Sequence, residues 1–429
     1  MEKIIIKGGK PLNGTVEISG TKNAAVAVIM ASFLIDDVCV IENLPVINDV
    51  AVSLEILQTM GVKIRMLSKN TVEIDSRHAV GGTSPLDLVR KMRASYYLLG
   101  AELGRFGHAY VGYPGGCDIG LRPIDQHIKG LESLGAKITV EGGYIEASAP
   151  RGLKASNIYF DCSTVGATIN VIIAAVKVKG LTTIENASRE PHVVDLANFL
   201  NTCGAKITGA GTDTIKIRGV DKLHGCTYAI IPDMIEAGTF MIAAAATNGH
   251  LRINNVIPKH LESISAKLEE MGVSVEEHDD YMIVSRNSKL SKVNIKTLPY
   301  PGFPTDLQPQ MSILMCLADG ISYLTETIYE GRFRYVEELK RMGAKVKVDG
   351  RTAIFEGGIS LSGAQVRAVD LRGGVAMVLA GMTANGKTEI EEIHHIERGY
   401  DNIVGKLCGV GADIKKVYFP DPVPYEMVN

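Results

Sequence analysis

The chain has 429 residues, a formal net charge of −3, 46% hydrophobic residues and 22% charged residues. A chain of this length predicts two domains of about 200 residues each. The apolar fraction excludes a disordered protein. The near-neutral charge argues against a broadly nucleic-acid-binding surface, although it leaves room for a local basic cleft.

The N-terminus carries only three consecutive apolar residues, so we expect no signal peptide. The longest near-apolar stretch, residues 24–35, is too short to span a bilayer, and we expect no membrane association. The cysteines are scattered and contain no CxxC pair, which predicts neither a disulfide framework nor a zinc site and favours a cytoplasmic protein. They are Cys39, Cys117, Cys162, Cys203, Cys226, Cys316 and Cys408.

In chain order, one sequence pattern occurs six times: an amphipathic helix ends at a glycine, and a strand rich in β-branched residues follows. Glycine at this position takes the left-handed conformation that ends a helix. A second strand follows, and we expect each pair of strands to form a hairpin. The glycines lie about 70 residues apart, at Gly61, Gly135, Gly204, Gly272, Gly343 and Gly411.

A second, more apolar helix is predicted before each copy of this pattern. A helix that is apolar on nearly all sides must be buried. The six stretches are KNAAVAVIMASFLI, VRKMRASYYLLGAEL, VGATINVIIAAV, IEAGTFMIAAAAT, DLQPQMSILMCLAD and LRGGVAMVLAGMTA. Each repeat therefore combines one buried helix, one amphipathic helix and about four strands, which indicates an α/β fold.

The sixth repeat is incomplete, because three prolines in FPDPVPYEM make a paired central strand there unfavourable. The N-terminal segment KIIIKG can supply the missing strand. We therefore predict two domains of three repeats: residues 22–231, and residues 1–21 together with 232–429. A single continuous solenoid is the alternative.

The predicted buried helices begin with charged residues, which are costly to bury without partners. The N-terminus of a helix favours anions, so Lys22, Arg93 and Arg372 are not explained as ordinary helix starts. Together they predict an anion-binding centre. We interpret Thr164 and Asp370 as N-caps.

The loop YPGGCDIGLRPID contains Cys117 and Arg122 among several glycines and prolines. Loops of this composition often carry function. An accessible thiol near a positive charge is a candidate nucleophile or acid. We assign the other six cysteines to ordinary apolar positions.

With these segments in order, the chain resembles the enolpyruvyl transferase family, in the branch that acts on UDP-N-acetylglucosamine. The resemblance runs nearly end to end. The segments that carry it are SGTKNAA (19–25), MRAS (92–95), PGGCDIGLRPID (114–125), PDMIEAGTF (232–240), FPTDLQPQ (303–310), ETIYEGRF (326–333) and HIERGYD (395–401).

The resemblance implies two inside-out α/β barrel domains, each of three βαβαββ repeats, with an active-site cleft between them. It implies transfer of the enolpyruvyl group of phosphoenolpyruvate to the 3-hydroxyl of UDP-N-acetylglucosamine, with release of phosphate. This reaction is the first committed step of peptidoglycan synthesis. The reaction is an addition and an elimination through a tetrahedral ketal. The family needs no metal or organic cofactor, and a monomer or weak homo-oligomer is expected.

The resemblance also implies roles for individual residues. Cys117, Asp306, Lys22 and Arg398 would be catalytic, with Cys117 as general acid, as covalent trap for phosphoenolpyruvate and as the thiol that the epoxide fosfomycin alkylates. Phosphoenolpyruvate would be bound by Lys22, Arg93, Arg122, Arg332, Arg372 and Arg398. The sugar nucleotide would contact Asn23, Arg93, Arg122, Pro123, Ile124, Asp125, Thr164, Val165, Gly166, Asp306 and Ile328. Supporting positions would be Asp233, Glu236 and Glu330.

Three positions depart from the family pattern. Cys162 stands where some relatives carry lysine, Ile169 replaces a polar residue, and Gly373-Gly374 replace small residues at a helix start. Two other functions remain open: the shikimate-pathway enolpyruvyl transferase, which lacks the PGGC loop, and a non-catalytic paralogue that binds UDP-sugars and regulates a partner.

Overall fold

A computed structural model describes residues 2–82, 84–113 and 123–418. The chain divides into two units. The first unit consists of Ile18–Glu236 and Leu298–Pro304. The second unit consists of the residues up to Glu17, Ala237–Thr297 and the residues from Thr305 onward. The sequence analysis placed the crossings near residues 21 and 231 and did not anticipate that 298–304 joins the first unit.

The strands of the described residues are, in chain order, β1 (Glu2–Lys7), β2 (Asn13–Glu17), β3 (Val38–Glu42), β4 (Lys63–Ser68), β5 (Thr71–Asp75), β6 (His108–Gly112), β7 (Lys137–Glu141), β8 (Tyr144–Ser148), β9 (Asn157–Tyr159), β10 (Leu181–Glu185), β11 (Lys206–Thr208), β12 (Thr214–Arg218), β13 (Thr227–Ala229), β14 (His250–Asn254), β15 (Ser274–Glu277), β16 (Tyr281–Ser285), β17 (Asn294–Lys296), β18 (Ile321–Thr325), β19 (Lys345–Asp349), β20 (Thr352–Glu356), β21 (Gln365–Arg367), β22 (Lys387–Glu391) and β23 (Asp413–Tyr418).

The α-helices of the same residues are α1 (Lys22–Ser32), α2 (Asn48–Thr59), α3 (Leu86–Val89), α4 (Tyr97–Phe106), α5 (Asp125–Ser133), α6 (Val165–Ala175), α7 (Pro191–Thr202), α8 (Met234–Ala246), α9 (Glu262–Glu270), α10 (Gln308–Leu317), α11 (Val336–Arg341), α12 (Leu371–Thr383), α13 (His394–Glu397) and α14 (Ile403–Gly409). Short 3₁₀ helices lie at Arg93–Tyr96, Pro258–His260 and Thr305–Leu307.

The strands of the first unit form three sheets, with orders β13-β3-β5-β4, β6-β8-β7 and β11-β12-β10-β9. Those of the second unit form three more, with orders β15-β16-β14-β2, β17-β18-β20-β19 and β21-β22-β1-β23. Antiparallel pairs such as β4 with β5 and β19 with β20 confirm the predicted hairpins. The mixed sheets and repeated helix pairs confirm the α/β repeat fold.

The repeat signals have the predicted physical basis. All six repeat glycines have positive φ, from 83° at Gly61 to 101° at Gly411, so a side chain at any of them would be strained. The apolar helices are enclosed on all sides: every residue of α1 from Ala24 to Ser32 is buried. The stretch VRKMRASYYLLGAEL is less regular than predicted, because the 3₁₀ turn Arg93–Tyr96 precedes α4.

No helix in the described part of the chain is both long enough and apolar enough to cross a membrane.

Strand β1 lies between β22 and β23 and is antiparallel to both. Its side chains alternate, because Ile4 and Ile6 are buried while Ile5 is half-buried. Ile6 faces Thr388 on one side and Ile414 on the other. The N-terminal strand thus occupies an interior position in the sheet that the sixth repeat leaves incomplete.

This placement predicts that Ile6→Ala lowers the stability of the second unit by about 2–5 kcal/mol, because truncation leaves a cavity in the core. The neighbouring Ile5→Ala serves as a matched control and has a smaller effect, since Ile5 lies on the other face of the strand. Urea unfolding followed by circular dichroism measures both variants. Equal losses would contradict the assigned register of β1.

Candidate functional site

Lys22 is the first residue of the buried helix α1, and its charge is compensated locally. Its Nζ lies 2.7 Å from Oδ2 of Asp49, and both side chains are mostly buried. A cation is disfavoured at the N-terminus of a helix, so the Asp49 carboxylate stabilises it and fixes its direction. The sequence analysis missed Asp49, because an acidic residue in the first turn of an amphipathic helix is usually only a partner of the helix dipole.

Asp233 and Glu236, the predicted supporting residues, hold the backbone just before Lys22. Glu236 Oε2 accepts a hydrogen bond from the Ser19 amide at 2.8 Å. The Asp233 amide donates to the Ser19 carbonyl at 2.9 Å. The Asp233 carboxylate in turn accepts from the Ile235 amide at 2.7 Å and caps α8. Both residues therefore position the turn that leads to Lys22.

Arg93 begins the 3₁₀ turn before α4 and lies against an aromatic side chain. Its Cζ is 5.7 Å from the centroid of the Tyr96 ring, and Tyr96 packs against His127 with centroids 4.4 Å apart. Burial, with a contribution from the positive charge of Arg93, lowers the pKa of His127 to about 3. His127 is therefore neutral at physiological pH, and it does not add a second cation beside Arg93.

Gly166 lies in the first turn of α6, where only a glycine fits. A Cβ there would be 2.7 Å from both His127 Nε2 and Tyr96 Oη. Asn170, one turn later, lies with Nδ2 3.1 Å from His127 Nδ1. The structure thus brings the predicted residues Arg93 and Gly166 together through two rings.

Most of the remaining predicted nucleotide residues that the structure describes in the first unit lie at the N-termini of α5 and α6, which pack against each other. Free backbone amides at such ends favour anions. Pro123 and Ile124 precede α5, Asp125 begins it, Thr164 precedes α6, Val165 begins it, and Asn23 follows Lys22 in α1.

The predicted N-caps have different outcomes. Asp370 caps α12, since its Oδ1 accepts from the amides of Arg372 at 2.8 Å and Gly373 at 3.0 Å. Thr164 occupies the predicted N-cap position of α6, but its side chain makes no capping hydrogen bond. Its carbonyl instead accepts from the Thr168 hydroxyl at 2.7 Å.

The assignment of six cysteines to apolar positions is also partly wrong. Cys162 is exposed at a bend before α6, and Cys408 is exposed in α14. Neither position has the apolar enclosure that the sequence pattern predicted. Cys117 and Arg122 lie outside the described residues.

In the second unit, Asp306 lies between two arginines that come from distant parts of the chain. Arg332 Nη2 donates to Oδ1 at 2.8 Å, and Arg372 Nη2 donates to Oδ2 at 2.9 Å. The side chains of the arginines are 3% and 4% exposed, whereas that of Asp306 is 29% exposed. Two guanidinium groups face one carboxylate, so this triad carries a net positive charge that suits an anionic ligand.

A buried carboxylate, Glu326, holds the turn that contains Asp306. Its oxygens accept hydrogen bonds from the hydroxyl groups of Thr297 at 2.8 Å and Thr305 at 2.9 Å. They also accept from the Ile328 amide at 2.7 Å. Glu326 opens the segment ETIYEGRF, but the sequence analysis gave it no role, because sequence alone does not show which carboxylate of a segment is buried.

A second polar network supports the same turn from within the unit. Gln310 Nε2 donates to the Asp306 carbonyl at 3.0 Å and lies 3.1 Å from the Tyr400 hydroxyl. That hydroxyl is 2.9 Å from Oγ1 of Thr239. The Arg372 guanidinium lies over the Tyr400 ring, with Cζ 5.4 Å from its centroid. Tyr400 therefore links α10 to the start of α12.

Arg398 follows α13 two residues before Tyr400 and is half-buried. Helices α12 and α13 approach closely at Gly374, where a Cβ would lie 2.8 Å from Cγ1 of Ile396. Gly374, one of the two glycines that depart from the family pattern, thus permits the close packing of α12 against α13, the helix that Arg398 follows.

Glu330 is not drawn into this group. It is exposed and pairs with Arg351, with Nη2 and Oε1 2.9 Å apart. In the described part of the chain, one group of side chains could hold a metal ion, and it contains none of the predicted site residues.

Residues 6–407 match the family profile described as EPSP synthase (3-phosphoshikimate 1-carboxyvinyltransferase). A relative from Caldanaerobacter subterraneus subsp. tengcongensis, UDP-N-acetylglucosamine 1-carboxyvinyltransferase 3, is 58% identical over 97% of this chain and 100% of its own length. UDP-N-acetylglucosamine 1-carboxyvinyltransferase 2 from Bacillus cereus is 52% identical over the full length of both chains.

Solved structures show the same architecture. The enolpyruvyl transferase NikO from Streptomyces tendae has a TM-score of 0.87 and 27% identity, and covers 98% of this chain and 99% of its own. EPSP synthase from Acinetobacter baumannii has a TM-score of 0.76 and 18% identity, and covers 97% of this chain and 100% of its own. The second likeness concerns the fold alone.

The contacts of Glu326 predict that Glu326→Ala destabilises the second unit by about 3 kcal/mol or more, because it leaves several buried donors without an acceptor. Glu330→Ala is the matched control, and its loss stays within about 0.5 kcal/mol, since an exposed ion pair contributes little. Urea unfolding of both variants measures the difference. A Glu326→Ala variant as stable as the control would show that this carboxylate does not hold the Asp306 turn.

Proposed function

The chain belongs to the EPSP synthase family of enolpyruvyl transferases, and we propose that it transfers the enolpyruvyl group of phosphoenolpyruvate to the 3-hydroxyl of UDP-N-acetylglucosamine, with release of phosphate. The full-length relatives named as UDP-N-acetylglucosamine 1-carboxyvinyltransferases support this choice of acceptor. The structural observation that carries the proposal is the Asp306 carboxylate held between Arg332 and Arg372.

Phosphoenolpyruvate brings a phosphate and a carboxylate, and both suit guanidinium and ammonium groups. In this proposal Arg332 and Arg372 bind the carboxylate. The phosphate is held by Lys22, Arg93, Arg122 and Arg398. Because Arg332 and Arg372 are almost fully buried, they are held in place before the ligand arrives, and little ordering is left for the binding step.

Asp306 accepts the proton of the sugar 3-hydroxyl. Each of its oxygens accepts one guanidinium hydrogen bond, and a carboxylate oxygen has a second lone pair. The partial exposure of the side chain leaves room for a hydroxyl group. As the proton moves to Asp306, the sugar oxygen bonds to C2 of phosphoenolpyruvate.

In the same addition, Cys117 donates a proton to the methylene carbon of phosphoenolpyruvate, which gives the tetrahedral ketal. In the elimination, that carbon returns a proton to the Cys117 thiolate, the bond between C2 and the phosphate oxygen breaks, and phosphate leaves with the proton that Asp306 holds. The products are the enolpyruvyl ether of the sugar nucleotide and inorganic phosphate. The thiol role of Cys117 rests on the family resemblance of its loop.

The uridine diphosphate sugar is assigned to the N-termini of α5 and α6, where backbone amides favour its charges. The absence of a side chain at Gly166 lets this end of α6 lie close to Tyr96 and His127. The contacting residues in the proposal are Asn23, Arg93, Arg122, Pro123, Ile124, Asp125, Thr164, Val165, Gly166 and Ile328. That both units act on one pair of substrates stays a prediction.

We place the reaction in the cytoplasm and assign it to a monomer or weak homo-oligomer.

Phosphate release from phosphoenolpyruvate tests the proposal directly. We expect release that requires UDP-N-acetylglucosamine. The description of the family profile names 3-phosphoshikimate, so shikimate 3-phosphate is the second acceptor to supply. Release with that acceptor alone would assign the chain to the other branch, and tight binding of UDP-N-acetylglucosamine without release would indicate a binding protein.

Asp306→Asn is expected to lower kcat by about 10²–10⁴-fold, because the amide cannot accept the hydroxyl proton. KM for phosphoenolpyruvate changes less, since the remaining side-chain oxygen at position 306 still accepts a hydrogen bond from one of the two arginines. Steady-state phosphate release measures both quantities, and Glu330→Gln is the control that keeps wild-type kcat. A fully active Asp306→Asn enzyme would remove the proposed base.

Cys117→Ala is expected to abolish both the turnover that requires UDP-N-acetylglucosamine and alkylation by fosfomycin. Cys162 is an exposed thiol in the same unit, so Cys162→Ala is the matched control and retains the single adduct. Intact-mass spectrometry counts the adducts. An adduct that persists in Cys117→Ala would place the reactive thiol elsewhere.

A further inference from the structure

Three cysteines far apart in the sequence meet in the first unit. The sulfur atoms of Cys39, Cys203 and Cys226 all lie within 4.8 Å of one another. In residues 2–82, 84–113 and 123–418, this is the one group of His, Cys, Asp and Glu side chains close enough to hold a metal ion. The sequence analysis treated these thiols as separate apolar residues and did not group them, because only the fold joins positions so widely spaced.

Two of the thiols lie on neighbouring strands. Cys39 belongs to β3, and Cys226 directly precedes β13, which runs parallel to β3. The Val40 amide donates to the Cys226 carbonyl at 2.8 Å. Gly225 lies so close to β3 that a Cβ would be 1.9 Å from the Val38 carbonyl oxygen. The backbone therefore holds Cys226 beside Cys39 with little freedom.

The third thiol is set by the end of a helix. The Cys203 amide bonds to the Phe199 carbonyl at 3.0 Å, and Gly204 follows with a φ of 95°, which ends α7. The Cys203 carbonyl accepts from the His224 amide at 2.9 Å. This hydrogen bond connects the end of α7 to the segment that carries Cys226, so all three thiols are positioned by backbone contacts.

The geometry fits a metal ion bound by three sulfur atoms. Zinc–thiolate bonds of about 2.3 Å place the sulfur atoms of one site roughly 4 Å apart. Cys203 Sγ and Cys226 Sγ are 3.3 Å apart, so they are in contact as thiols. Cys39 and Cys203 are buried, whereas Cys226 is half-buried and offers a path from solvent.

We propose that Cys39, Cys203 and Cys226 form a binding site for a thiophilic d¹⁰ divalent cation such as Zn²⁺ or Cd²⁺. Three thiols lose their protons to solvent, three metal–sulfur bonds form, and the resulting tris-thiolate complex carries a charge of −1, with water as the fourth ligand. Sulfur ligands select soft cations over Mg²⁺ or Ca²⁺. A disulfide between Cys203 and Cys226 would use only two of the three sulfur atoms and would leave Cys39 without a role.

The bound ion would connect the end of α7 to the edge of the β3 sheet. Binding to the folded state alone stabilises it, so the unfolding temperature of the first unit rises with metal concentration. None of the three cysteines belongs to the proposed transfer machinery. The site is therefore separate from the proposed reaction, and its test does not depend on activity.

Titration of the reduced, metal-free full chain with Cd²⁺ tests the site. We expect thiolate-to-cadmium charge-transfer absorption that saturates at one ion per chain, with release of close to three protons in weakly buffered solution at neutral pH. Cys203→Ala loses the absorption. Zn²⁺ raises the unfolding temperature of the wild type and not that of this variant.

If loss of the buried Cys203 thiol prevents folding, Cys226→Ser is the second variant, because Cys226 is only half-buried. We expect the circular dichroism and the metal-free unfolding temperature of Cys226→Ser to match those of the wild type. The control variants Cys162→Ala and Cys408→Ala remove exposed thiols and keep the full absorption. Absence of the absorption in the reduced wild type would overturn the proposal. Persistence of the absorption in Cys226→Ser would also overturn the proposal, as would the release of only two protons for each ion bound.

Discussion

A helix that is apolar on all sides has to be enclosed on all sides, and this constraint governs both units. The repeats supply the enclosure together, since buried helices of different repeats pack against one another, as α4 does against α6 and α10 against α12. Strand β1 follows from the same need, because the sheet beside α12 is complete only when the N-terminal strand pairs with β22 and β23. The buried helices leave only their ends for polar chemistry.

The polar residues at those ends are costly to bury, and the structure places charged partners beside several of them. Asp49 pairs with Lys22, and Asp306 pairs with Arg332 and Arg372. Because the arginines are nearly inaccessible while the carboxylate is partly exposed, the triad presents a fixed oxygen and a positive environment together. Glu326 and Tyr400 lie behind this group and hold it in place without facing a substrate in the proposal. The same arrangement that satisfies burial thus provides the oriented carboxylate that the proposal uses as a base, beside the guanidinium groups that the proposal assigns to anion binding.

Much of the fold and of the candidate site was predictable from the sequence, and the features that were not predicted have physical reasons. The repeat glycines and the period-3.6 apolar stretches are local signals, so the helices, the hairpins and the need for an N-terminal strand were foreseen. Asp306, Arg332 and Arg372 were singled out by resemblance, but their contacts depend on three separate segments. Glu326 and Asp49 were missed because burial and partners decide the role of a carboxylate. Thr164 holds the predicted N-cap position without a capping hydrogen bond, because a residue type shows only a preference. The grouping of Cys39, Cys203 and Cys226 arises only when β3, α7 and β13 have packed.

The central claim is that this chain forms a new ether bond at the 3-oxygen of the sugar in UDP-N-acetylglucosamine. The most direct test is the structure of the product formed from phosphoenolpyruvate and UDP-N-acetylglucosamine, determined by mass spectrometry and by NMR of the sugar ring. The account predicts one enolpyruvyl group per nucleotide, attached at the 3-oxygen. A sugar nucleotide recovered unchanged while phosphate accumulates, or an enolpyruvyl group at another position, would contradict it.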